Sequence, residues 1–216
     1  MSAAPAPAAD SLALSDGLRG LVARGESRRF RKGALLIQEG DHGDTLFVVL
    51  SGKVKAFSSD DRGREIVYGV YAPGEYLGEM CLDGGPRSAS VIALEPTVCS
   101  VVTRQRLREH IIEHPEFAFE LLSQVIRLAR FTTQSARNMA MLDVYGRVAQ
   151  TLNELAQPLS VGSRSVAQRL THQEIANRIG ASREMVSRIL KDLVNGGYLV
   201  ITASEMEICR PLPARW

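Results

Sequence analysis

The chain has 216 residues, 45% of them apolar and 23% charged, with a formal net charge of +2. That is enough for one large domain or two small ones, each with its own core, and is ordinary for a soluble globular protein. No run of about 18 apolar residues exists, which argues against a membrane span or membrane partner.

In chain order, the opening "MSAAPAPAAD" has neither a basic start nor an apolar core, so it does not read as a signal peptide. Its Ala/Pro character predicts a disordered tail over residues 1–20. The three cysteines, Cys81, Cys99 and Cys209, are far apart and lack any C-x-x-C spacing. They read as small apolar residues of a reducing, cytoplasmic protein, with no metal site and no covalent cofactor. His42, His110, His114 and His172 fall at helix ends or in loops and suggest no metal or haem ligation.

Residues 21–114 read as short strands broken by Gly and Asp turns. "ALLIQEGDHGDTLFVVLSGKVKAF" gives an apolar run, a turn at 40–44, a second run and another break at Ser51-Gly52. "DDRG" closes a further hairpin, and "EIVYGVYAPGEYLG" and "SASVIALEPTVCSVV" continue the pattern. Many short β-branched strands at close spacing predict an antiparallel jelly roll. Within it, "GEYLGEMCLDGGPRSAS" places Glu79 and Arg87 on either side of a Gly-Gly-Pro break. The residues alone leave three readings open: a surface ion pair, a catalytic pair or a cradle for an anion.

From residue 115 the period changes. Leu121, Val125, Leu128, Thr132, Ser135, Met139 and Leu142 step by alternating fours and threes, and no Gly or Pro interrupts the stretch. This predicts a helix over 115–143, roughly 40 Å long. Leu121, Val125, Leu128 and Met139 form an apolar seam that would pack on the chain's own barrel or pair with a second copy. Thr132 and Thr133 put hydroxyls in and beside that seam.

Residues 144–216 make the third region. After "QPLSVGSRS", read as a loop, comes "LTHQEIANRIGASREMVSRILKDLVNGGYLVI". Thr171 and Glu174 form a T-x-x-E capping box, Gly180 allows a tight turn, and Ser182 caps a second helix. Ile175, Ala176 and Ile179, then Val186, Ile189, Leu190 and Leu193, supply the buried faces. "YLVI" and "MEIC" suggest a β hairpin, so the unit reads as a winged helix-turn-helix. Residues 161–197 hold six basic and three acidic side chains, a mild bias toward nucleic acid. Arg183, Glu184 and Arg188 lie away from the buried stripe, where two guanidiniums and a carboxylate could read base edges in double-stranded DNA. Thr171, His172, Gln173 and Ser182 sit at helix starts, where amides attract phosphate. A solvated face with a Glu184–Arg188 pair is the plainer alternative.

The three regions in this order, with "GEMCLDGGPRSAS", "LDVYGRVAQTL" and "THQEIANRIGASREMVSRILKDL", resemble the cAMP receptor protein family of bacterial transcription regulators. The likeness runs from about residue 28 onward. It implies an α+β protein with an N-terminal cyclic-nucleotide-binding jelly roll, a long dimerisation helix and a C-terminal winged helix-turn-helix. By resemblance Glu79, beside Gly78, accepts the ribose hydroxyl, and Arg87 and Ser88 hold the cyclic phosphate. Thr132 and Thr133 match the hydroxyl pair that reaches the base. The implied activity is non-enzymatic. The homodimer is gated by cAMP, or alternatively by cyclic di-GMP or no ligand, and binds a palindromic operator with half-sites of the TGTGA kind. RNA polymerase is an implied partner. The interval from Glu79 to Arg87 is shorter than in the best-known enterobacterial member, and "QPLSVGSRSVAQRL" does not resemble the polymerase-contacting loop there. An iron–sulfur branch needs an N-terminal cysteine cluster, which residues 1–80 lack.

Overall fold

In a computed structural model of the chain, the Ser15 hydroxyl accepts from the Leu18 amide and so starts helix α1 (Asp16–Ala23). The expected tail is therefore shorter than 20 residues. Leu14, Leu18, Leu21 and Val22 are buried, and their apolar area ties this segment to the domain. The structure describes residues 14–61, 63, 65–160, 163–166, 170–202 and 205–213, so the rest of the expected tail lies outside it. The chain forms two units. One comprises the residues up to Asp60 together with Val67–Arg130, and the other Asp61–Ile66 with Phe131 onward.

The first unit is the expected jelly roll. Its strands are β1 (Glu26–Phe30), β2 (Leu35–Ile37), β3 (Thr45–Ser51), β4 (Val54–Ser59), all but the first two residues of β5 (Glu65–Tyr71), β6 (Tyr76–Leu77), β7 (Ser90–Ala93) and β8 (Thr97–Thr103). They pair into two sheets, β1-β8-β3-β6 and β2-β7-β4-β5. Helix α2 (Arg104–Glu113) follows β8, capped by Thr103, and α3 (Glu116–Met141) follows α2.

Strand β3 explains the layering. Its five central residues are all buried, because both of its faces are covered. Leu46, Val48 and Leu50 join Leu21, Leu107, Phe117 and Leu121 in a core beneath the helices. Phe47 and Val49 instead join Ile37, Val54, Ala56, Leu77 and Val91 in the core between the sheets. A strand with apolar residues on both sides reads as an unbroken run, as "TLFVVLS" does.

The second unit carries α4 (Val144–Leu155), β9 (Ala156–Ser160), β10 (Ser163–Val166), α5 (His172–Ile179), α6 (Arg183–Asn195), β11 (Leu199–Ile201) and β12 (Met206–Ile208). Asp143 ends the long helix's run by capping α4, its carboxylate accepting from the Gly146 amide at 2.7 Å. The stretch expected to be a loop is a correction: it contributes the antiparallel pair β9–β10, which extends the wing to β11-β12-β10-β9. Pro158 fits there because β9 is an edge strand with one side of its ladder unpaired. One core collects Tyr145, Val148, Leu152, Ile175, Ala176, Val186, Leu190, Leu193, Leu199, Met206 and Ile208.

Phe117 is fully buried, between Tyr76 and His110. Phe117→Ala is expected to lower the stability of the first unit by about 3–5 kcal/mol, read from the urea unfolding midpoint.

Candidate ligand cassette and DNA-reading helix

The segment between β6 and β7 folds back on the start of β3. Gly78 follows β6 with φ +93°, a conformation that favours glycine, and a single 3-10 turn, Glu79–Cys81, comes next. The Asp83 carboxylate accepts from the Gly85 amide at 2.8 Å and shapes the following turn. The Arg87 main chain is then pinned to the β2–β3 connection. Its amide donates to the Asp41 carbonyl at 2.8 Å, and its carbonyl accepts from the Gly40 amide at 2.9 Å.

This backbone aims Arg87 inward, where only 7% of the residue is exposed. Its Nη2 donates to Thr45 Oγ1 at 2.9 Å, and its Nη1 donates to the Gly78 carbonyl at 3.3 Å. The guanidinium carbon lies 6.0 Å from the centre of the Phe47 ring. Glu79 is equally enclosed, at 8% exposure. Burial pushes its carboxyl above the usual carboxylate range, against the opposing pull of backbone hydrogen bonds at Glu79 and Gly78 and of the Arg87 charge. The structure thus buries Glu79 and Arg87 in one segment, with Gly78 half-buried beside them, which a surface ion pair would not do. Ser88 is exposed, and its hydroxyl lies 3.3 Å from the Met80 sulfur. Thr132 and Thr133 stand on exposed positions of α3, in the part that belongs to the second unit.

Several residues here are invisible to motif reading. Thr45 accepts from the guanidinium and Gly43 leaves room for it, a Cβ there standing 2.9 Å from Nη2, and a lone Thr or Gly carries no signal by itself. Tyr71 packs against the inter-sheet core, and its phenol is pushed up by burial, then by the negative charges of Glu79 and Glu75. Strand alternation could have put it on the inner face of β5 with Val67 and Gly69.

In the second unit the capping box is complete: the Glu174 amide donates to Thr171 Oγ1 at 3.1 Å, and the Thr171 amide donates to the Glu174 carboxylate. Gly180 turns at φ +63°, and Ser182 Oγ accepts from the Met185 amide at 3.2 Å to start α6. Arg183, Glu184 and Arg188 are all exposed on α6. His172 makes a 3.0 Å hydrogen bond through Nδ1 to Ser187 Oγ, which ties α5 to α6. The side chains of Thr171 and Ser182 are engaged as caps, while Gln173 is exposed and donates to Asn177.

Residues 27–114 match the cyclic nucleotide-binding domain model, and residues 146–211 match the Crp-like helix-turn-helix domain model. The CRP-like cAMP-activated global transcriptional regulator of Mycobacterium tuberculosis is 34% identical over 79% of this chain and 78% of its own. The chain belongs to the cAMP receptor protein family. A second relative, the cAMP-activated global transcriptional regulator Vfr of Pseudomonas aeruginosa, is 32% identical over 87% of this chain and 91% of its own. Among solved structures, the c-di-GMP responsive global regulator CLP of Xanthomonas campestris superposes with a TM-score of 0.76. It is 26% identical, and the match covers 89% of this chain and 97% of that one. As a member of this family the chain is a transcription regulator and not an enzyme, with one cyclic-nucleotide-binding and one DNA-binding domain.

The family's long helix needs one correction to the expected seam. Leu121 is buried in the core of its own unit, with only 8% of the residue exposed. Val125 and Met139 are exposed, at 41% and 47%, and Leu128 is half-buried. The outward apolar line on the first half of α3 instead includes Phe119, Leu122 and Ile126, two of them more than half exposed. These step by three and four, one position round from the expected stripe.

Because Glu79 titrates above its ordinary range in the fold, its ionisation weakens the folded protein. The stability of the protonated form is complete below the pH where an unfolded Glu titrates and is lost as the pH rises through the folded value. Glu79→Gln is therefore expected to unfold at higher urea than the wild type at pH 7. Near pH 4 the two midpoints should converge.

Proposed function

We propose that this regulator works as a homodimer whose cassette takes a cyclic nucleotide, cAMP first, and thereby controls binding to a palindromic operator. The observation that carries the proposal is the buried Arg87 guanidinium beside the buried Glu79 carboxyl. Two of the guanidinium's five N–H donors serve Thr45 and Gly78, and others remain for phosphate oxygens. A carboxylate in the same enclosure suits a ribose hydroxyl donor, beside the Gly78 backbone. Ser88 would turn from Met80 to the phosphate, and Thr132 and Thr133 would meet the base. The cAMP assignment is supported by the printed descriptions of the curated relatives as cAMP-activated. Cyclic di-GMP is the second reading, favoured by the solved neighbour described as responsive to it.

Exposed Phe119, Leu122, Val125 and Ile126 support a dimer along α3, the parallel pairing that buries such a line. Ligand would act by binding one arrangement of that dimer better than another. Two α6 helices would then enter successive major grooves about 34 Å apart. Arg183, Glu184 and Arg188 would contact bases. Thr171, His172, Gln173 and Ser182 would flank phosphates, with the helix-start amides supplying the donors. RNA polymerase is the expected further partner, in the cytoplasm.

Arg87→Leu is expected to abolish ligand-stimulated DNA binding while leaving a folded dimer. Calorimetric titration with cAMP and cyclic di-GMP tests this, and wild-type affinity for both would remove Arg87 from the site. Arg183→Ala is expected to lose discrimination at one base position by about 1–3 kcal/mol. Uniform weakening across singly substituted half-sites would make Arg183 a phosphate contact instead.

A further inference from the structure

Arg87 ends in a flat group on a long side chain, which has rotamer entropy to lose when it is fixed. An anion that had to order it would bind correspondingly more weakly. In the structure that ordering is already made, by contacts on more than one side of the group. Thr45 Oγ1 accepts from Nη2 at 2.9 Å, and the Gly78 carbonyl accepts from Nη1 at 3.3 Å. The bare backbone of two glycines also stands close to the group. A Cβ on Gly43 would stand 2.9 Å from Nη2 and 3.0 Å from Nε, and one on Gly78 would stand 2.8 Å from Nη1.

We propose that Thr45 is a positioning residue of the cassette, its hydroxyl fixing the plane of the Arg87 guanidinium that meets the ligand phosphate. The inference rests on the reading of Arg87 as the phosphate ligand. Thr45 is suited to the task by its place and its type. It opens β3, opposite Thr103 of β8, so the sheet ladder fixes its main chain. A β-branched side chain on a strand has few rotamers, so its oxygen is presented in one direction. Its carbonyl also lies against Gly78, where an added Cβ would come within 2.9 Å, so strand and cassette share one close contact. Of the two side-chain nitrogens held in this way, only Nη2 is held by a side chain, so only that bond can be removed by substitution without altering the backbone. Thr45→Val keeps the shape and removes the acceptor, and Thr45→Ser keeps the acceptor.

Two measurements on the full-length protein decide the matter. The first is ¹⁵N relaxation at Arg87 Nε without ligand, and the second is calorimetric affinity for cAMP and for cyclic di-GMP. In Thr45→Val, Arg87 should become mobile, and affinity for the nucleotide that the wild type binds should fall about tenfold, the scale of one charge-assisted hydrogen bond. Thr45→Ser should restore both. In an Arg87→Lys background, which has no second nitrogen to place, Thr45→Val should cause no further loss. Gly43→Ala, which displaces the guanidinium from the other side, should match Thr45→Val and serves if that variant does not fold. An Arg87 as rigid in Thr45→Val as in the wild type, or equal losses in the arginine and lysine backgrounds, would overturn the proposal. If Arg87→Leu left nucleotide binding untouched, the phosphate reading would fall and the ligand role of Thr45 with it. If Arg87→Leu lost binding while Thr45→Val did not, only the role of Thr45 would fall.

Discussion

A guanidinium held inside a β barrel is the constraint around which the first unit is arranged. Removing such a charge from water is costly unless its donors are satisfied and an opposite charge is close. Here the Thr45 hydroxyl at a strand end and the carbonyl of left-handed Gly78 accept from it, and the charge of Arg87 acts on the carboxyl of the next residue, Glu79. These partners come from two stretches of chain, the start of β3 and the turn after β6, so the cassette depends on the barrel bringing both together. The main-chain bonds of Arg87 to Gly40 and Asp41 show the closure directly, because they staple the cassette to the β2–β3 turn.

The strand that opens with Thr45 also links the cassette to the helices. Phe47 lies on the cassette side, in the inter-sheet core. Leu46 and Val48, its neighbours on the opposite face, belong to the cluster that contains Phe117 and Leu121 of α3. A tightly packed, two-sided strand does not shift on one face alone, because interiors at crystal-like density leave little room. The first turns of α3 are thereby part of the same packed body as the cassette. In the second unit a comparable fastening is made by Arg147, whose guanidinium donates to the Leu142 carbonyl after α3 and to the Ile179 carbonyl at the end of α5.

Much of this was legible in the residues. The helix-turn-helix announced itself through its caps, since T-x-x-E, Gly180 and Ser182 are local chemistry that needs no tertiary information. The jelly roll was legible as a class from its turn spacing. Helix α1 was not, because one Ser cap before "DGLRG" is a weak signal after an Ala/Pro stretch and the helix depends on burial against β8 and α2. The β9–β10 pair was hidden by Pro158 and Gly162, which punctuate loops more often than edge strands. The seam was displaced for a different reason. On α3 two neighbouring apolar stripes run side by side, and periodicity alone does not say that Leu121 faces the barrel while Leu122 faces outward. Glu79 and Arg87 stand together in one motif, whereas Thr45 and Gly43 come near Arg87 through geometry between segments far apart in sequence.

The central claim is that a cyclic nucleotide entering this cassette changes how the protein holds DNA. Its most direct measurement is fluorescence anisotropy of a labelled palindromic operator with purified wild-type protein, titrated with cAMP and with cyclic di-GMP at fixed salt. The account predicts a saturable change in operator affinity with one of the two, at a midpoint matching the calorimetric affinity. Operator binding indifferent to both nucleotides, with no heat of binding for either, would contradict it.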